Sequence, residues 1–256
     1  SRALRLMREK NLHHIPGLDA KGRVIRLFLL EEMIKAPKLN NWVVLMAGGQ
    51  GKRLRPMTDS CPKPMLNIGG KPMLEIILEQ FLDAGFWKFF ISVHYLKHQI
   101  VDFFENGEKW GVEIQYLVEE HPLDTAGSLG LLPQFPDKPI LVANGDILSR
   151  VDHSKLLKFH KDNKSSATIC IREHETRIPF GVVKTNGSEF MSIEEKPFMS
   201  HSVNAGMYVL NPEMIKLLKQ NQVCDMPQLL ERGLTKNLTI HAFPVHEYWV
   251  DVGQLQ

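Results

Sequence analysis

Residues 42–47 form an apolar run that opens directly into Gly48-Gly49-Gln50-Gly51 and then into Lys52, Arg53, Leu54 and Arg55. A short apolar run closed by glycines reads as a strand buried on both faces, the kind found in parallel sheets covered by helices. Three glycines allow backbone N–H groups to approach an anion closely, and three cations within four residues supply the opposite charge. Guanidinium groups can also grip phosphate oxygens bidentately. The segment therefore reads as a phosphate loop at the end of a buried strand. It is neither of two better-known loops. A dinucleotide fingerprint needs a small residue where Leu54 stands, and a Walker A loop needs glycine at Met46 and serine or threonine at Arg53.

An ordinary glycine turn with solvated cations would look similar, but the neighbouring residues argue against it. Pro62-Lys63-Pro64-Met65 places a lysine between two prolines, which restrict the backbone on either side and narrow the directions its ammonium can take. Beyond it, apolar runs alternate with helical periods. Leu74, Ile77, Leu78, Phe81 and Leu82 follow one helix face, and Gly85 stands where a left-handed C-terminal cap is wanted. Strands are expected at 87–93, 112–118 and 139–143, with helical segments near 99–105, 125–132 and 152–163. That alternation implies a largely parallel sheet, whose ligands bind at the carboxyl ends of its strands. From 167 onward the pattern becomes mixed, with strands expected at 167–172, 181–185, 190–194 and 203–210.

Ahead of this lies a small α-β-β-α unit: a helix over 3–10, strands at 13–18 and 23–27 around the turn 19–22, and a second helix over 29–35. Residues 36–41 break the pattern with Pro37, Asn40 and Asn41 and read as a linker. Two units follow, at 1–36 and 42–256.

Composition excludes several classes. Thirty-one Lys and Arg against 29 Asp and Glu give a net charge of +2, which offers no surface for nucleic acid or membrane. Cys61, Cys170 and Cys224 have neither CxxC nor zinc spacing, in keeping with a reducing cytoplasm. No apolar stretch reaches the roughly 18 residues of a membrane span, and the first residues lack a signal-peptide core, so a soluble cytoplasmic protein is expected. The chain begins in mid-helix and stops three residues after Gly253, which suggests trimming at both ends.

Taken in order, GGQGKRLRPMT, CPKPML, GGKPML, EEHPLDTAGSL, NGD, FGVV, EEKP, NAGMYVL and YWVDVG resemble the motif series of the sugar-1-phosphate nucleotidyltransferase superfamily, over residues 42–253. The resemblance implies a Rossmann-like α/β domain with a mixed, mostly parallel central sheet. It implies that Ala47, Gly48, Gly49 and Gly51 wrap the nucleotide, that Thr125 and Gly127 lie near the base, and that Arg53 and Lys63 neutralise phosphate. Asp146 and Asp251 would hold Mg²⁺. Gly181, Glu195, Lys196 and Asn204 would bind the sugar phosphate. Asp124 stands where close relatives of the PLGTAG type carry glycine. Residues 3–31, through HHIPGLDAKGRVI, resemble the second half of a CBS motif, one partial copy of which would not bind a ligand alone.

The chemistry suits these residue types. A sugar 1-phosphate is largely dianionic at pH 7 and can attack an α-phosphorus without a general base. What the reaction needs is in-line positioning and neutralisation of spread charge. The expected reaction joins a nucleoside triphosphate, with GTP favoured by the base segment and the CBS pairing, to a sugar 1-phosphate and releases pyrophosphate. Two other readings stay open: a regulatory subunit of the same fold that has lost its chemistry, and a metal-dependent glycosyltransferase, which would usually show an Asp-x-Asp triplet. A homo-oligomer is also left open.

Overall fold

The computed structural model describes residues 6, 7, 9–19, 21–30 and 38–254. Its first described strands, β1 (His14–Leu18) and β2 (Val24–Leu29), pair antiparallel as a two-stranded sheet. The Asp19 carboxylate accepts from the Lys21 and Arg23 amides, each at 2.9 Å, and closes the turn between them. Residues 6, 7, 9 and 10 are helical, as expected. The second helix expected over 29–35 falls largely outside the described residues, and Leu29 itself belongs to β2.

The next strand, β3 (Leu39–Met46), begins inside the segment read as a linker. The asparagines there act as strand residues because their polar groups find partners. Asn41 is 4% exposed, and its side-chain amide donates to the Pro139 carbonyl at 2.7 Å. The Leu39 amide donates to Gly85 O at 2.8 Å. A buried polar side chain is tolerated when it is hydrogen-bonded, so asparagine need not break a strand.

After β3 come the short antiparallel pair β4 (Asn67–Ile68) and β5 (Lys71–Pro72), and then the helix Met73–Asp83. Next in the chain are β6 (Phe86–Val93), the helix Lys97–Phe104, β7 (Glu113–Val118) and the single-turn helix Asp124–Gly127. β8 (Ile140–Asn144), β9 (Ile147–Ser149) and the helix His153–Asp162 follow, the last capped by the Asp152 carboxylate. The remainder holds β10 (Ala167–Arg177), β11 (Gly181–Asn186), β12 (Glu189–Glu195) and β13 (Phe198–Leu210). It closes with the helix Met226–Thr235, β14 (Ile240–Pro244) and β15 (Trp249–Asp251).

The central sheet runs β14-β10-β13-β8-β3-β6-β7. All its neighbouring pairs are parallel except those made by β13, which is antiparallel to both β10 and β8. Alternate residues of each strand enter different cores. Val43, Leu45, Leu141 and Ala143 meet Leu74, Leu78 and Phe81 on one face, while Val44 and Val142 meet Met214, Met226 and Leu229 on the other. Such period-2 division is what a sheet covered on both sides requires.

The chain runs outward from β3 through β6 to β7, then returns to the other side of β3 as β8. This reversal is a topological switch point, and it leaves a crevice beyond Met46 and Asn144, the partnered last residues of β3 and β8.

Candidate active site

A cavity of about 500 Å³ opens at that crevice. Residues 48–54 form one wall, joined by Lys63, Glu119, Asp124, Thr125, Asp146 and Asp251. The loop is braced from behind. Gly51 sits at φ +61°, and a Cβ there would come within 2.9 Å of Thr58 Cγ2 and 3.0 Å of Lys63 Cβ, so glycine is needed both for the conformation and for the close approach. Thr58 is buried and donates to Gly51 O at 2.9 Å. The Tyr95 hydroxyl donates to Thr58 O at 3.1 Å, and Gln99 Nε2 to Ser60 O at 2.8 Å. The phosphate loop and the lysine turn are thus fixed to one another. Pro64 is buried, and Lys63–Met65 forms a tight 3₁₀ turn.

Lys63 stands between two carboxylates. Its ammonium donates to Asp146 Oδ2 and lies 3.7 Å from Asp251 Oδ1. The two aspartates, 105 residues apart in sequence, meet because β15 pairs antiparallel with β9, putting Asp251 opposite Ile147. The Val252 amide also donates to Asp146 O at 3.1 Å. Gly253 completes the arrangement. Its amide donates to Asp251 Oδ1 at 2.7 Å, and a Cβ at this position would push the lysine ammonium aside.

Two neighbouring carboxylates repel unless a cation lies between them, and at 4 Å a unit charge pair is worth about 4 kcal/mol at an effective dielectric near 20. Among the described residues no group of three or more His, Cys, Asp or Glu side chains gathers as a metal cage. The donor set is a pair of carboxylates sharing a cavity with the glycine-rich loop. That set fits Mg²⁺, which takes one or two carboxylates and fills the rest of its octahedron with water and substrate oxygens.

The opposite end of the cavity is acidic too. Glu119 is 6% exposed; its Oε2 accepts from the Leu123 amide at 3.0 Å. Gly48 leaves room for it, since a Cβ there would lie 2.7 Å from Glu119 Oε1. Burial pushes the Glu119 carboxyl above the usual range, with the charge of Asp124 adding to the rise, while hydrogen bonds from Leu123 and Ser92 and the nearby His94 oppose it. Thr125 lines the cavity and also accepts from the Met226 amide at 2.8 Å through Oγ1.

Of the residues singled out from sequence, Gly48, Gly49, Gly51, Arg53, Lys63, Thr125, Asp146 and Asp251 line this one cavity. Ala47 and Gly127 do not. Ala47 is buried, its amide donating to Ser92 O at 3.0 Å. Gly127 is required by packing, because a Cβ there would be 2.5 Å from Gln222 O. Gly181, Glu195, Lys196 and Asn204 also lie off the cavity wall. Gly181 pairs with Glu195 across the β11–β12 hairpin, Lys196 follows it, and Asn204 is engaged with the Tyr208 hydroxyl at 2.6 Å and the Gly206 amide at 3.0 Å. Glu119 and Gly253 had not been singled out. Glu119 sits in a recognisable motif, but only its contact with Gly48 marks it as part of the site. Gly253 lies in YWVDVG, yet what ties it to the site is its approach to Lys63, which is remote in sequence.

The family model described as Nucleotidyl transferase matches residues 42–256. The chain is 34% identical over 223 residues to the mannose-1-phosphate guanyltransferase of Yarrowia lipolytica and 33% identical over 221 residues to that of Hypocrea jecorina. In each case the match covers 82% of this chain and 60% of the relative, so the chain spans about three fifths of the length of these curated relatives. HddC from Yersinia pseudotuberculosis, solved in complex with GMP-PN, superposes with a TM-score of 0.64 at 25% identity over 83% of this chain and 94% of that one. A putative glucose-1-phosphate thymidylyltransferase from Bacillus anthracis shares the fold, with a TM-score of 0.66 at 22% identity over 82% of this chain and 89% of its own.

Proposed function

Because the chain belongs to the Nucleotidyl transferase family, we propose that it transfers a guanylyl group from GTP to a sugar 1-phosphate, giving a nucleotide-sugar and pyrophosphate. The observation that carries this reading is the single cavity in which a glycine-rich loop faces one lysine and two aspartates, with a buried carboxylate at the far end. The likeness to guanyltransferases and to a structure holding a guanine nucleotide analogue supports the choice of base.

In this reading the triphosphate lies along residues 48–54, where the backbone amides and Arg53 hold its oxygens. The sugar phosphate enters beside Lys63, and one of its oxygens attacks the α-phosphorus in line with the departing pyrophosphate. The attacking group is already anionic, so the protein moves no proton in this step. Lys63 and Arg53 hold charge where it spreads over the phosphates, in a site that is set before substrate arrives. Asp146 and Asp251 would hold Mg²⁺, which when bound neutralises phosphate charge. Guanine presents N1–H and N2–H donors on one edge, and in this reading the Glu119 carboxylate accepts from the ring N1–H.

The test is pyrophosphate release over GTP, UTP, dTTP and CTP against a panel of sugar 1-phosphates that includes mannose 1-phosphate. GTP should give the fastest turnover with at least one sugar. Equal or faster turnover with UTP or dTTP overturns the guanylyl assignment.

A further inference from the structure

Asp124 lies at φ +62°, in the left-handed region that costs an ordinary side chain and that glycine enters freely. The backbone around it is fixed from both sides. The Leu123 amide donates to Glu119 Oε2, and Leu123 O accepts from the Cys224 amide at 3.2 Å. The Ala126 and Gly127 amides both donate to Cys224 O, at 3.0 and 2.9 Å. These bonds, made by neighbouring residues, hold the turn whatever side chain occupies position 124. Glycine would satisfy the turn without strain. What aspartate adds is its carboxylate, which makes no capping bond, takes no hydrogen bond and pairs with no cation among the described residues. It lines the cavity at the end where Glu119 lies.

We propose that Asp124 is a specificity-determining residue that reads the exocyclic 2-amino group of guanine, alongside Glu119 at the neighbouring ring N1–H. The inference rests on the guanylyl reading above and deepens it; it founds no new site. Guanine is the common base whose pairing edge offers an amine and a ring N–H side by side. Two carboxylates, which only accept, match that pair of donors. Uracil and thymine present one N–H flanked by two carbonyls, and a second carboxylate would face one of those carbonyls with like charge. Adenine and cytosine place a bare ring nitrogen beside the amine and meet the same repulsion. A residue kept in a strained conformation with an otherwise unused charge is accounted for if that charge has a ligand.

Inosine triphosphate lacks only the 2-amino group and isolates the contact. Binding of GTP, ITP and UTP should be measured by calorimetry on the wild-type chain, Asp124→Gly and Asp124→Asn, with thermal unfolding of each. Wild type should bind GTP about tenfold to a hundredfold more tightly than ITP, the range for a hydrogen bond to a charged group. Asp124→Gly should bring GTP down to the affinity of ITP, leave ITP unchanged, narrow the gap to UTP and raise the melting temperature. Asp124→Asn, which keeps the shape and removes the charge, should fall between. An unchanged GTP to ITP ratio in Asp124→Gly overturns the proposal, as does an equal loss for all three nucleotides, which a purely structural residue would give. A wild-type chain that binds UTP more tightly than GTP fails the guanylyl reading itself and this inference with it; a preference for GTP over ITP that persists undiminished in Asp124→Gly fails this inference alone.

Discussion

From Ala205 to Leu210, β13 is buried between β10 and β8, whereas from Phe198 to Ser202 the same strand is exposed and pairs only with the outer half of β10. The change falls at an irregularity: the β10–β13 register shifts between Ile169 and Ile171, and Gly206 on β13 adopts φ +71°. Inside this point the strand is part of the central sheet. Outside it, β11 and β12 form a separate hairpin whose apolar side chains Phe180, Phe190, Met191 and Ile193 are all more than half exposed. The residues assigned to nucleotide and metal lie with the buried half, and Glu195 and Lys196 lie with the exposed half. A site for a highly charged triphosphate benefits from being set beforehand, since preorganised dipoles and cations need not rearrange during the reaction. Among the described residues, the outer arm has no comparable packing around its side chains.

The sharpest way to break this contrast is at the two aspartates. Asp146→Asn and Asp251→Asn should each reduce turnover by about 10³-fold or more while nucleotide affinity changes far less, because both act on charge that develops among the phosphates. Steady-state kinetics beside nucleotide titration would check this, and near-normal turnover in either variant would remove that carboxylate from the chemistry. Arg53→Ala and Lys63→Ala should cost about 10²- to 10³-fold. Lys63→Ala has a second expected effect. With its ammonium gone, the paired carboxylates lose their internal counter-charge, so Mg²⁺ titrated without nucleotide should bind more tightly than to wild type.

Stability should divide along the same line. Leu78 is wholly buried beneath the sheet, and Leu78→Ala should cost about 2–5 kcal/mol in chemical denaturation. Phe190 is 61% exposed on the outer hairpin, and Phe190→Ala should change stability by no more than about 0.5 kcal/mol. Comparable losses from the two would mean that the arm is packed in solution.

The same division governs what could be read from sequence. β3, the helix Met73–Asp83 and the cavity-lining glycine loop were legible because their signals are local: an apolar run, one helix face, and glycines beside cations. Gly85 was legible for the same reason, and it does adopt φ +95°. The helix Met226–Thr235 was missed although Asp225 caps it and a proline follows in its first turn, a start signal that was available. What could not be read were requirements set by distant chain. Gly127 must be glycine because of Gln222 O, a backbone atom that cannot swing aside. Asn40 and Asn41 looked like breakers because nothing local reveals the Pro139 carbonyl that satisfies Asn41. The assignment of Glu195 and Lys196 to the sugar phosphate comes from motif resemblance alone, and the arm that carries them lies off the wall that holds the glycine-rich loop, Lys63 and the two aspartates.

That separation yields the smallest and most discriminating expectation. Lys196 is exposed, lies at φ +50°, and its ammonium is 4.0 Å from Glu195 Oε1, a loose surface pair of little energetic weight. If the arm meets the sugar phosphate only after the nucleotide is seated, removing this cation weakens one partly solvated contact and leaves the phosphate loop untouched. Lys196→Ala should then raise KM for the sugar 1-phosphate by about tenfold, leave KM for GTP unchanged and reduce kcat only slightly. Its melting temperature should match wild type, because no buried group loses a partner. A fall in kcat as large as that of Lys63→Ala would place Lys196 on the reacting phosphates and erase the contrast between the two halves. An unchanged KM for every sugar 1-phosphate in the panel would take the arm out of substrate binding altogether, and the sugar pocket would then have to be sought among the side chains that already wall the cavity.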